Sequence, residues 1–116
     1  MIRVFVYGTL RAGESNHHFL RGAVLLGSTR LTSGFRLYDL GLYPAAVKCR
    51  ELKRALIGEV YEVDTETFSA LDELEEYPQE YTRELVETDY GQAWIYLYRL
   101  SVMGLPEIPN GDWCQK

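Results

Sequence analysis

Two cysteines, two histidines and four prolines in 116 residues leave little material for several kinds of chemistry. Cys49 and Cys114 lie far apart, which gives neither a disulfide framework nor the paired spacing of a zinc site, and both read as bystander thiols. His17 and His18 are adjacent, so their side chains diverge on a helix or strand and one ion rarely takes both. With no Glu-x-x-His motif beside them, no metal site is expected. No apolar run is long enough to cross a membrane. The first strand carries Arg3 and lacks a cleavage site, so no signal peptide is expected and the cytoplasm is the expected compartment. Positive charge is also scarce. Twelve Lys and Arg stand against seventeen Asp and Glu, for a net charge of −5 and a pI near 5.0. Such a chain lacks the basic face that a nucleic-acid backbone requires. There is no Ser-His-Asp constellation, no Cys-His pair, and no phosphate loop of the Walker or dinucleotide type.

What is present is apolar and aromatic. The chain is 47% hydrophobic and contains nine tyrosines, which suits one folded domain over residues 1–116. It is organised around Val4-Phe5-Val6-Tyr7-Gly8-Thr9-Leu10, a buried strand running into a glycine turn. Glycine there allows a positive φ and lets a ligand approach the backbone. Arg11 to Leu20 reads as a loop with one helical turn, capped by Ser15 or Asn16. Ala23–Leu26 and Phe35–Tyr38 read as strands punctuated by Gly27 and Gly34. Pro44 excludes a central-strand position and suggests an edge or the wall of a cavity. Lys48 to Arg54 reads as a solvated loop, and Arg54 to Val63 as a strand interrupted at Gly58. In that strand Glu59 and Tyr61 point to one face, and Val60 and Glu62 to the other. Tyr81–Thr88 and Gln92–Arg99 form a hairpin through a three-residue loop, Asp89-Tyr90-Gly91. The second of these strands is apolar or aromatic on both faces and should be central. The tail from Met103 reads as an irregular wrap anchored by Trp113. The pattern gives an α+β domain: a small mixed β-barrel with one main flanking helix.

That helix starts at the cap Asp64 or Thr65 and must stop before Pro78. Phe68, Leu71 and Leu74 form its apolar stripe. On the helical wheel Glu75 falls about 40° from the stripe's centre, while the other acids of the segment lie about 100° or more away. Glu75 is therefore the carboxylate that the helix aims toward the core. Partial burial, the helix C-terminus and the neighbouring acids Asp72, Glu73 and Glu76 should all raise its pKa toward the range of a general acid/base.

Tyr7-Gly8-Thr9-Leu10 resembles the Tyr-Gly-Ser/Thr-Leu signature of the γ-glutamylcyclotransferase-like proteins, in their small AIG2-like branch. Leu71-Asp72-Glu73-Leu74-Glu75 followed by Tyr81-Thr82-Arg83 resembles that branch's Leu-Asp-x-x-Glu segment and Tyr-x-Arg continuation. Tyr43-Pro44-Ala45 and Ala93-Trp94-Ile95-Tyr96 also fit, so the similarity spans Ile2 to about Trp113. One departure is Glu76, where many relatives carry Gly, which bears on the shape of the helix end. The resemblance implies a cavity between the Tyr7–Leu10 loop and Glu75. It implies cyclisation of a small-molecule γ-glutamyl substrate to 5-oxoproline, with Glu75 as catalytic acid/base and no metal or organic cofactor. Tyr7, Gly8, Thr9 and Leu10 would bind substrate, Tyr96 would donate a phenol hydrogen bond into the site, and Tyr81 would line it. Arg83 is expected to be structural, pairing with an acid near the helix end. A monomer or small homo-oligomer is expected, with neither nucleic acid nor membrane as partner. Two other readings stay open: a non-catalytic domain binding a γ-glutamyl or other carboxylate ligand on the same scaffold, and a small interaction protein.

Overall fold

β-branched and aromatic residues at Val4, Phe5 and Val6 favour extended backbone, and both faces of that strand become covered. In the computed structural model, which describes residues 1–50 and 54–116, β1 (Ile2–Val6) lies at the centre of a five-stranded sheet. The other strands are β2 (Val24–Leu31), β3 (Gly34–Asp39), β4 (Pro44–Cys49), β5 (Leu56–Val63), β6 (Tyr81–Thr88) and β7 (Gly91–Tyr98), and one helix, α1 (Thr65–Leu74), lies between β5 and β6. The large sheet has the order β2-β5-β1-β7-β6, and β3 and β4 form a separate two-stranded ribbon. β1 runs antiparallel to β5, with Ile2 opposite Val63 and Val6 opposite Glu59, and parallel to β7, with Val4 opposite Trp94.

The α+β class stands, but the barrel is looser than expected. Among the described residues no ladder joins the edge strands β2 and β6, so the sheet curls without closing. Its two faces carry two cores. Phe5, Leu37, Leu56, Val60, Ile95 and Trp113 pack on one side. Val4, Val6, Leu20, Tyr61, Leu71 and Tyr96 pack on the other, beneath α1. As expected, β7 is an inner strand, flanked by β1 and β6, and Trp113 anchors the tail, in a short 3-10 turn over Trp113–Gln115.

Several local expectations change. Gly58 does not interrupt β5: it pairs with Thr29, and a side chain there would meet the Val6 carbonyl oxygen and the Phe5 ring. Lys48 and Cys49 belong to β4, and the rest of the expected 48–54 loop lies largely outside the described residues. The β6–β7 connection is two residues, Asp89-Tyr90, because Gly91 already pairs with Thr88; Gly91 nevertheless takes the positive φ of 93°. The Asp64 side chain caps α1 by accepting from the Thr67 N–H at 2.7 Å. The helix ends at Leu74, earlier than Pro78 alone would require. Glu75 takes the C-cap position, and Glu76 adopts φ 49°, a left-handed conformation that costs a non-glycine residue about 1 kcal/mol.

Candidate active site

β1 delivers the chain to a tight loop, Tyr7 to Leu10, all of it buried. Gly8 is needed there for space. Its φ is not positive; instead, a Cβ would lie 2.1 Å from Cγ of Pro44, the first residue of β4. The loop's carbonyls are tied off from behind. The Arg11 N–H donates to the Gly8 oxygen at 3.0 Å, the Asn16 N–H donates to the Thr9 oxygen at 2.8 Å, and His17 Nδ1 lies 2.9 Å from the Leu10 oxygen. Asn16 sits before the 3-10 turn His17–Leu20, yet its side chain does not cap that turn; it donates to Thr9 Oγ1 at 3.0 Å. Deeper support comes from Glu59, buried on β5. Its carboxylate accepts from the Ala12 N–H, the Tyr61 hydroxyl and Arg11 Nε, and Arg11 reaches Asp112 in the tail. With its carbonyls so held, the loop leaves the N–H groups of Gly8, Thr9 and Leu10 without a protein acceptor among the described residues. Three consecutive free donors form a ready anion-binding edge.

These donors border a hollow with Glu75 among the residues that line it. Glu75 follows α1 directly, its N–H donating to the Leu71 oxygen at 2.9 Å. Its carboxylate is partly buried and accepts no hydrogen bond from the described residues. Burial, and then the charge of Glu80, push its pKa up to about 7. The rise was expected, but its like-charge source was not. Asp72, which was expected to repel Glu75, is bound by Arg83 at 2.9 and 3.1 Å.

The structure brings Tyr7, Gly8, Thr9, Leu10, Tyr81 and Tyr96 together with Glu75 around this one hollow. The expectation for the Tyr96 hydroxyl is overturned: it donates away from the site, to Asp72 Oδ1 at 2.7 Å. The Tyr81 hydroxyl donates to the Pro44 oxygen and the Tyr7 hydroxyl to the Tyr96 oxygen, both at 2.6 Å. Burial raises the pKa of all three phenols, and the Glu75 charge adds to each. Arg83 takes the structural role expected of it. Besides pairing with Asp72 it stacks within 4.2–4.7 Å of the ring centres of Phe68, Tyr77 and Trp94.

Sequence reasoning missed other parts of the site. Tyr43, 47% exposed, stands at the mouth. A second pocket shares Thr9, Tyr43, Glu75 and Tyr81 with the first and adds Asn16, Leu74, Glu76 and Glu80. Glu80 and Asn16 sit in irregular segments with no periodicity to orient them. Asp72 lay off the apolar stripe, and only its pairing with Arg83 could have pointed to it.

The profile of the family described as "Gamma-glutamyl cyclotransferase, AIG2-like" matches residues 4–115. The chain is 42% identical over 115 residues to the Escherichia coli K12 protein named gamma-glutamylcyclotransferase family protein YtfP, covering 99% of this chain and 98% of that one. The crystal structure of PH0828 from Pyrococcus horikoshii superposes with a TM-score of 0.86 at 37% identity, covering 99% of this chain and 92% of that one. An AIG2-like protein from Mus musculus superposes with a TM-score of 0.81 at 26% identity, covering 94% and 86%. In sequence and in fold alike, the chain belongs to the AIG2-like γ-glutamyl cyclotransferase family.

Proposed function

We propose that this chain cyclises a γ-glutamyl amide to 5-oxoproline and releases an amine or amino acid. The observation that carries this reading is Glu75: a carboxylate with no hydrogen-bond partner among the described residues and a pKa near 7, in the same hollow as three unpaired N–H groups. Nucleophile and electrophile belong to one molecule, so the protein's first task is to fold the substrate into the ring-closing shape. The α-nitrogen then forms its bond to the γ-carbonyl carbon. Glu75 accepts the proton that the α-ammonium must lose. The N–H groups of Gly8, Thr9 and Leu10 stabilise the oxyanion that develops, or hold the substrate carboxylate. When the γ-amide C–N bond breaks, Glu75 gives that proton to the departing nitrogen; it then takes the second proton that the ring nitrogen must lose and passes it to the released amine, which leaves as its ammonium.

The test is 5-oxoproline formation from a panel of γ-glutamyl amines and dipeptides. Glu75→Gln should lower turnover by at least about 10²-fold with the fold unchanged, as expected for a lost acid/base group. A Glu75→Gln variant that turns over at the wild-type rate would refute the assigned role.

A further inference from the structure

The three free N–H groups owe their direction to bonds on the far side of the loop. A trans peptide unit is planar, so the oxygen of one residue and the N–H of the next point opposite ways. Whatever holds the Gly8 oxygen therefore aims the Thr9 N–H, and whatever holds the Thr9 oxygen aims the Leu10 N–H. The two holders are the backbone N–H groups of Arg11 and Asn16. Arg11 is pinned in turn by its own side chain. Its Nε donates to Glu59 Oε2 at 3.3 Å and its Nη1 to Asp112 Oδ1 at 2.7 Å, so one guanidinium spans β5 and the tail. Both anchors are themselves fixed. Glu59 Oε1 takes the Ala12 N–H and the Tyr61 hydroxyl, each at 2.9 Å, and Asp112 Oδ1 takes the Cys114 N–H at 3.0 Å. The tail has one seat on β5: the Ile57 N–H donates to the Gly111 oxygen at 2.9 Å, and a Cβ at Gly111 would lie 1.7 Å from the Ala55 oxygen. The Trp113 indole N–H adds a second tie to the loop, donating to Glu14 Oε1 at 3.1 Å. The Arg11 side chain is only 12% exposed, and charge-assisted bonds so shielded from water hold a geometry well.

We infer that Arg11 is a positioning residue: its guanidinium, clamped between Glu59 and Asp112, fixes the backbone N–H that aims the Thr9 amide into the hollow. Arg11 does not line the hollow, so it acts through the loop and not on a ligand. The assignment rests on the cyclisation reading, in which the Thr9 N–H meets the developing oxyanion. Asp112 shares the role, which makes the tail a working part of the site although it lies on the other side of the loop. Lysine cannot replace Arg11, because an ammonium is a single point of charge and cannot reach both acids as the guanidinium fork does.

The test is Arg11→Lys in the full-length protein, read by amide hydrogen exchange and by 5-oxoproline formation from the γ-glutamyl panel. Exchange of the amides at positions 11, 12 and 16 should quicken by at least about tenfold, as for a local opening. The Glu75 amide, bonded to the Leu71 oxygen, should keep its wild-type rate. kcat should fall at least about tenfold with KM nearly unchanged, since a lost oxyanion donor costs about 10²–10³-fold and acts only in the transition state. The pH midpoint set by Glu75 should not move. Asp112→Ala removes the tail half of the clamp and should give the same pattern at smaller amplitude. It decides the matter should the lysine variant not fold. Exchange that quickens in equal proportion at Glu75 and in the loop overturns the assignment, because Arg11 then serves only the stability of the whole. So does a fall in kcat without faster exchange in the loop, and so does faster exchange with kcat intact. A wild type that forms no product from any panel member sinks the cyclisation reading, and the exchange rates alone then uphold or overturn the clamp. Product formation by the wild type, with loop exchange unchanged in both variants, keeps that reading and sinks the clamp.

Discussion

Glu75→Gln can be read without knowing the substrate, because the wild-type carboxyl imposes a pH-dependent cost on the fold. Its pKa is pushed from an ordinary 4.5 up to about 7, first by burial and then by Glu80. Between those values the folded chain binds the proton that the unfolded chain releases. Wild-type stability should therefore fall as pH rises through that window and level off above it. The interval sets a ceiling of about 3 kcal/mol at pH 8. Solvent at the mouth of the hollow reduces this to about 1–2 kcal/mol. Glutamine keeps the shape and carries no charge, so the variant escapes the cost at pH 8 and gains nothing at pH 4. Thermal unfolding monitored by circular dichroism should show matching transitions at pH 4. At pH 8 the variant should melt higher, by about 4–8 °C for a domain of this size. A difference that is the same at both pH values would refute the reasoning, as would a wild type that is more stable than the variant at pH 8.

In the enzyme assay, kcat/KM should rise with pH through a midpoint near 7, because the ionised form of Glu75 accepts the substrate's proton. Glu80→Gln should move that midpoint down by removing the like charge, measured as a pH–rate profile. Gly8→Ala should lower stability by about 1–3 kcal/mol in urea titration, because the added methyl overlaps the Pro44 ring, and Pro44→Gly in the same chain should recover part of the loss. Arg83→Met should cost about 3 kcal/mol or more, since it strips Asp72 of its cation and three rings of theirs; a loss below about 0.5 kcal/mol would mark the stack as ornamental.

Much of the site was legible because periodicity and chemistry agreed. The apolar stripe Phe68-Leu71-Leu74 fixed the phase of α1, so Glu75 could be placed on the inner side even though the helix stops one residue before it. Val4 and Val6 point to one core and Phe5 to the other, as the alternation of a strand demands. Other features depend on contacts between distant segments. The need for glycine at positions 8 and 58 arises from a proline ring 36 positions away and from an aromatic ring on a neighbouring strand. The direction of the Tyr96 hydroxyl depends on Asp72, 24 residues earlier, which no spacing rule connects to β7. The charge beside Glu75 comes from Glu80, whose place is set by the turn after Leu74. Sheet closure was overread because strand count and shortness suggest a barrel, whereas closure depends on whether β2 and β6 meet.

The central strand has a consequence for how the molecule comes into being. β1 comes first among the seven strands in chain order, and one of its two neighbours, β7, comes last. The bond from Tyr7 to the Tyr96 carbonyl spans 89 residues. Until the β6–β7 hairpin arrives, β1 has an open flank and the hollow lacks Tyr81 and Tyr96 from its lining. Contacts of such long sequence separation also slow the search for the native state. Formation of the hollow and completion of the five-stranded sheet are thus a single event.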